Sequence, residues 1–78
     1  MKFDYNIHPD NSPRLFKQTC MQIEKAFPTA KKRDLLTDVD GTTIQSFEHN
    51  GKGIKVFDDY DVGAVFVESD IDLSHLFN

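Results

Sequence analysis

The sequence predicts a small α+β domain in which one helix packs on an antiparallel sheet of about four strands. Three observations support this fold class: one apolar stripe at helical spacing, several short strand-like segments, and an Asn-Gly pair between two of them. The chain has 78 residues, too few to divide its apolar side chains between two cores. Residues 1–78 are therefore expected to form a single α+β domain with the element order β-α-β-β-β.

The helix is predicted over residues 13–27. Ser12 followed by Pro13 is typical of a helix N-cap and first helical residue. The helix should end before Pro28, because a residue that precedes proline is disfavoured in the α region. Its apolar side chains recur at helical spacing and define one stripe that should face the core: Leu15, Phe16, Cys20, Ile23, Ala26 and Phe27.

Four segments predict strands. Residues 2–8 alternate apolar and polar side chains, which is the pattern of a half-buried strand. Asn50-Gly51 separates the segments 41–49 and 52–58, and this pair indicates a hairpin because both residues tolerate positive φ. The segment 62–69 contains Ala-Val-Phe-Val, apolar on both faces, so it should be a central strand covered on both sides. The last nine residues are expected to close the fold with a short helix or a 3₁₀ turn.

Charge is distributed unevenly along the chain. The net charge is −4, but residues 1–33 hold seven Lys and Arg against three acids, whereas residues 34–78 hold two Lys against ten acids. The first part is thus about +4 and the second −8, an asymmetry that concerns association with partners rather than the fold. The candidate partner-binding residues are the acidic side chains of the C-terminal strands: Asp58, Asp59, Asp61, Glu68, Asp70 and Asp72.

These features favour a small acidic, non-catalytic interaction protein that binds a basic partner protein. Nuclease inhibitors, toxin-immunity proteins and phage-encoded blockers of host nucleic-acid machinery are classes with this size and charge, although no motif links the chain to them. A homodimeric α+β domain of structural role is an alternative, because an open sheet leaves an edge or a face to cover. Nucleic-acid binding is not favoured, since the pI is about 5.1 and basic and aromatic residues do not interleave on a strand.

One motif suggests phosphoryl transfer as a further alternative. Residues 38–43, Asp-Val-Asp-Gly-Thr-Thr, resemble the nucleophile loop of the haloacid-dehalogenase-type phosphatases. That resemblance implies Asp38 as the nucleophile and Asp40 as the acid/base around Mg²⁺, on a doubly wound parallel sheet. Only about 35 residues follow the motif and they indicate hairpins, whereas a parallel crossover needs a dozen or more residues for itself. The sequence therefore predicts a turn here and no enzyme, with a Mg²⁺-dependent remnant at Asp38 and Asp40 as the alternative.

The layout of the chain is also similar to the C-terminal domain of the phosphohexomutases. The similarity lies in a helix ending in Ala-Phe-Pro, the segment 38–44, a hairpin, and Val-Phe-Val-Glu-Ser. The functional signature of that family is a phosphate-binding loop of the form Arg-x-Ser-Asn/Gly-Thr-Glu-Pro. Here the corresponding residues 57–63 are Phe-Asp-Asp-Tyr-Asp-Val-Gly, and an Asp-rich turn repels phosphate. The resemblance thus implies something about the fold only.

No metal or cofactor site is predicted. The three His residues are far apart in sequence, and the spacing of an EF-hand loop is absent. Cys20, the single cysteine, lies on the apolar stripe of the helix and is expected to be a buried structural thiol. The lone cysteine, the absence of an apolar run of membrane-spanning length and the charged N-terminus lead us to expect a cytoplasmic protein without a membrane partner.

Overall fold

The computed structural model describes residues 3–77 and shows an α+β fold with one main helix on an antiparallel sheet of six strands. The strands lie in the order β1-β6-β5-β4-β2 across the sheet, and β3 also pairs with β4. The elements are β1 (Phe3–His8), α1 (Pro13–Ala26), β2 (Lys31–Lys32), β3 (Leu36–Thr37), β4 (Thr43–His49), β5 (Lys52–Asp59), β6 (Ala64–Ser69) and α2 (Ser74–Phe77).

The α+β class is confirmed, but the expected strand number and the order β-α-β-β-β match only roughly. The two additional strands, β2 and β3, have two residues each and pair side by side with β4. A two-residue strand has no periodicity of its own, and its pairing depends on the backbone groups that a longer neighbouring strand leaves free. These strands therefore arise from tertiary pairing with β4, which the local sequence does not indicate.

The predicted helix is confirmed, with its last residue one position earlier than expected. The Oγ of Ser12 accepts a hydrogen bond from the backbone N of Leu15 at 3.2 Å, so Ser12 is the N-cap and Pro13 is the first helical residue. Phe27 is the C-cap, and its N–H donates to the carbonyl of Ile23 at 2.9 Å. The helix ends where Pro28 makes a further helical residue unfavourable.

The hydrophobic core lies between α1 and one face of the sheet, which we call the inner face. Alternation along β4, β5 and β6 directs every second side chain to the helix. Leu73, just before α2, is also buried in this core, so the C-terminal segment closes the same side. The buried apolar side chains are Phe16, Cys20, Ile23, Phe47, Ile54, Val56, Val65, Val67 and Leu73.

The hairpin at Asn50-Gly51 is confirmed, with φ of 53° and 77° at the two residues. This turn fixes the register of β4 and β5, so that Phe47 lies opposite Ile54 and Ile44 lies opposite Phe57. β6 is a central strand, as expected, because it pairs with β1 on one side and β5 on the other. Within the protomer only one of its faces is covered by other elements, because α1 and the C-terminal segment both lie on the inner face.

The opposite, outer face of the sheet carries a row of apolar side chains across four strands. Leu36, Ile44, Phe57 and Phe66 are successive cross-strand neighbours, and we call them the outer row. The rings of Phe57 and Phe66 are stacked, with centroids 4.7 Å apart and an interplanar angle of 12°. Leu36 is exposed and the other three are half-buried, and the outer row is separate from the core cluster on the inner face. Of the helices in residues 3–77, none is long and apolar enough to cross a membrane.

Candidate functional site

Three connections leave the sheet at the same end. Strand pairing places the end of β3 beside the start of β4 and the end of β5 beside the start of β6. The same register brings His8, at the end of β1, opposite Val65 in β6. The segments 9–12, 38–42 and 58–63 therefore lie together, and we call these residues the acidic end.

The acidic end concentrates the negative charge of the protein. It contains six Asp and no Lys, Arg or His, which gives a formal charge of −6: Asp10, Asp38, Asp40, Asp58, Asp59 and Asp61. The rest of the chain has nine Lys and Arg against seven acids, a formal charge of +2. The asymmetry seen along the sequence is thus an asymmetry between one end of the sheet and the remainder of the molecule.

Thr42 connects two of these segments, the turns 38–42 and 58–63. Its buried Oγ1 accepts a hydrogen bond from the backbone N of Tyr60 at 3.1 Å and lies 3.5 Å from an Asp59 carboxylate oxygen. The ring of Tyr60 also covers Gly41, where a Cβ atom would lie only 3.2 Å from the ring. Gly41 has φ of 93°, so it needs the freedom of glycine for its backbone as well as for this contact. The two turns therefore form one connected surface.

Each turn presents an exposed apolar side chain. Val39 is fully exposed between two aspartates, and Val62 is 72% exposed after Asp61. Tyr60, in the same turn as Val62, is 45% exposed. Single exposed apolar residues are common, but three of them on one charged surface form the type of contact that a protein partner can bury.

Two of the predicted site residues hold the acidic end together rather than point to solvent. Asp58 is only 2% exposed, and its Oδ1 accepts hydrogen bonds from the Nδ2 of Asn11 and the backbone N of Ser12, both at 3.2 Å. Asp59 is half-buried, and its Oδ1 accepts from the backbone N of Asp61 at 2.8 Å and of Val62 at 3.0 Å. Asp61 is exposed on the turn itself.

The other three predicted residues lie elsewhere. Asp70 and Asp72 are at the opposite end of the sheet, where Asp70 accepts from the backbone N of Gly53 at 3.2 Å. Asp72 accepts from the backbone N of Ser74 at 3.0 Å and from the Tyr5 hydroxyl at 3.1 Å. Glu68 lies on the outer face, opposite Lys55. The structure therefore does not bring the six predicted residues together in one surface.

Residues 38–42 form the loop of the hairpin that joins β3 and β4, so the predicted turn is confirmed. Each of its aspartates accepts a backbone hydrogen bond: Asp38 from the N of Val39 at 2.8 Å, and Asp40 from the N of Thr42 at 2.9 Å. The hydrogen bond from the Thr42 backbone lowers the pKa of Asp40. The strands on both sides are antiparallel, in contrast to the parallel sheet that the phosphatase resemblance implies. Among residues 3–77, no three His, Cys, Asp or Glu side chains are grouped to hold a metal ion.

A cleft of about 350 Å³ lies between α1 and the strand β4, beside the acidic end. Apolar groups of Phe16, Leu35 and Tyr60 line it, Cys20 lies on its wall, and Lys17 is also among its lining residues. The buried amide of Gln45 at this cleft donates to the backbone carbonyl of Arg33, so this polar group is already bonded within the protein. The cleft is at the small end of the range for ligand pockets.

Cys20 should react very slowly with thiol reagents in the folded protein. The side chain is buried, as predicted, and burial raises the pKa of its thiol to about 11. Because the thiolate is the reactive species, we expect reaction with an aromatic disulfide at pH 8 to be at least about 100-fold slower in the folded chain than in urea. Free cysteine in the same urea concentration is the control. Similar rates for the folded and unfolded chain would show that the helix packs loosely.

Asp10, Asp38 and Asp40 are not among the predicted partner-binding residues, although the sequence holds a signal that places Asp38 and Asp40 beside them. In a hairpin, the start of the first strand and the end of the second lie at the same end. The Asn50-Gly51 turn therefore places residues 38–42 next to 59–63.

No family model, no curated protein and no solved structure matches this chain.

Proposed function

We propose that this protein is a non-catalytic interaction protein that binds a basic surface of a partner protein through its acidic end. The observation that carries the proposal is the concentration of six Asp, without a Lys or Arg, on three adjoining segments, two of which are connected by Thr42. A surface with one sign of charge attracts a partner of opposite charge and accelerates association.

The exposed apolar side chains supply the second component of such an interface. Charge mainly accelerates encounter and selects the partner, whereas buried apolar and aromatic contacts slow dissociation. Val39, Tyr60 and Val62 are exposed within the acidic end, so both components are present on one surface. The partner we propose has a basic surface with an apolar depression.

Proteins that bind nucleic acid carry such basic surfaces, because they neutralise phosphates with Lys and Arg. An acidic protein that covers this surface competes with the nucleic acid. Inhibition of a nuclease, immunity to a nuclease toxin, or a phage-encoded block of host nucleic-acid machinery are functions of this kind. We propose them as the class of function, by analogy in size and charge.

Charge reversal at the acidic end tests the proposal. The carboxylates of Asp10 and Asp61 accept no hydrogen bond from the described residues 3–77, so reversing them leaves the fold contacts in place. The partner is first captured from a lysate of the source cell with salt steps from about 0.1 to 0.5 M, where exposed charges become screened. We expect Asp10→Lys with Asp61→Lys to slow association with the captured partner about tenfold at low salt.

Glu24→Lys with Asp34→Lys is the matched control, because it makes the same change in net charge at surface residues outside both the acidic end and the outer face of the sheet. A much smaller change in association rate is expected for this pair. Equal rates for the unmodified protein and the Asp10/Asp61 variant would contradict the proposal. Equal slowing by both pairs would assign the effect to net charge rather than to the acidic end.

A further inference from the structure

We infer that the outer face of the sheet is the interface of a two-fold homodimer. Both helices lie on the inner face, so the outer row remains on the surface of the protomer. The row is a continuous apolar strip across β3, β4, β5 and β6, and the stacked rings of Phe57 and Phe66 lie at its centre. Aromatic side chains at the centre of a patch are typical anchors of protein interfaces.

The charges beside the outer row favour a second copy of this chain as the partner. Lys55 on β5 lies directly opposite Glu68 on β6, one outward-facing position from the phenylalanine pair. The ion pairs found among residues 3–77 are Lys32 with Glu24 and Arg33 with Glu48, so Lys55 and Glu68 do not pair with each other within the protomer. Asp4 on β1 lies on the other side of Glu68, further from the centre of the face. Lys55 and Glu68, one positive and one negative group at equal distance from the centre, make a pattern complementary to itself after rotation.

The symmetry axis that uses this pattern runs parallel to the strands, between β5 and β6. Rotation about it places β5 of one protomer over β6 of the other and keeps the level of each residue along the strand. Phe57 then packs on the partner's Phe66, and Lys55 faces the partner's Glu68. A two-fold interface is formed by the same patch on both subunits, which is what this arrangement requires.

The size of the face is consistent with a weak dimer. The long strands β1, β6, β5 and β4, about 4.8 Å apart and each with about six residues or more at 3.3 Å, give a face of about 400 Å² in projection. With the relief of the side chains, two such faces bury a total of about 1,000 Å², the lower limit for a specific interface. We therefore expect a dissociation constant in the micromolar range.

The inference is independent of the proposed function. Because the axis runs parallel to the strands, the two acidic ends lie on the same side of the dimer and both remain exposed. Failure of the dimer would leave binding at the acidic end untouched, and the variants that test one surface do not alter the other.

Sedimentation velocity of the full chain between about 5 and 500 µM is the first test. We expect a concentration-dependent shift from monomer to dimer. Phe57→Thr with Phe66→Thr keeps residues of high strand preference and should weaken the dimer at least 30-fold. Met21→Thr, which removes an exposed apolar side chain from the helix, is the control and should leave the dimer unchanged.

Charge reversal tests the two-fold arrangement directly. Lys55→Glu makes both members of this pair negative, and Glu68→Lys makes both positive, so each variant alone should dimerise at least tenfold more weakly than the unmodified chain. An equimolar mixture of the two variants should form a heterodimer more readily than either variant alone, since every contact then joins opposite charges. The variant carrying both reversals should recover the homodimer.

A protein that stays monomeric at 500 µM would overturn the inference. So would a dimer that is insensitive to the phenylalanine substitutions, because it would have to use another surface. Mixing of the two charge variants without heterodimer formation would exclude this axis. Circular dichroism of each variant confirms that the sheet is intact, so a loss of dimer is not mistaken for unfolding.

Discussion

Asp58→Ala is expected to lower the free energy of unfolding by about 2–3 kcal/mol. The carboxylate is 2% exposed and accepts hydrogen bonds from the side chain of Asn11 and the backbone of Ser12. Truncation leaves both donors without this acceptor in a site that water reaches poorly, and each unpaired buried donor costs about 1–3 kcal/mol. The bond to Ser12 also joins the start of α1 to β5, so its loss loosens the attachment of the helix to the sheet.

Urea unfolding followed by circular dichroism measures this change. Asp61→Ala is the matched control, because it removes an exposed carboxylate three residues away and should change the stability by no more than about 0.5 kcal/mol. Asp58→Asn keeps an acceptor oxygen and should fall between the two. Equal stability of the two alanine variants would show that Asp58 is not needed to hold the acidic end.

Ile23→Ala is expected to have the largest effect, a loss of about 3 kcal/mol or more. Ile23 is 0% exposed at the centre of the helix face that covers the sheet, so truncation leaves a cavity between α1 and the inner strands. A domain of this length has a total stability of about 4–12 kcal/mol, so the loss removes a large part of it. The variant should unfold at a clearly lower temperature and urea concentration.

Met21→Ala provides the comparison on the same helix. Met21 is 60% exposed, and alanine has the higher helix propensity, so stability should change by less than about 0.5 kcal/mol. Thermal unfolding of both variants shows whether burial, rather than the helix itself, determines the cost. A similar loss for Met21→Ala would contradict the orientation of α1 on the sheet.

The helix and the central hairpin could be predicted because their signals are local. Ser12-Pro13 and Pro28 mark the helix ends, and Asn50-Gly51 marks the turn. The strands β2 and β3 could not be predicted, because two residues carry no periodic pattern and their pairing depends on the free side of β4. The formation of these two strands is thus determined by tertiary pairing and not by the local sequence.

At the acidic end, the composition of the sequence does not show which carboxylates are exposed, but the strand pattern does. Asp58, Asp59 and Asp61 have the same side chain, so composition alone cannot tell which of them is buried and which is exposed. The alternation of Ile54 and Val56 does separate them, since the next inward position is Asp58. Whether the acidic residues bind a partner stays a prediction that the variants above address.

The bridge that Thr42 makes between the two turns has a consequence for the energetics of recognition. Hydrogen bonds from Tyr60 and to Asp59, together with the contact of Tyr60 with Gly41, hold both loops in one conformation before any encounter. A flexible loop loses conformational entropy when it is immobilised on a partner, and a preorganised one loses little. The binding proposed for this end would therefore require little ordering of the two loops.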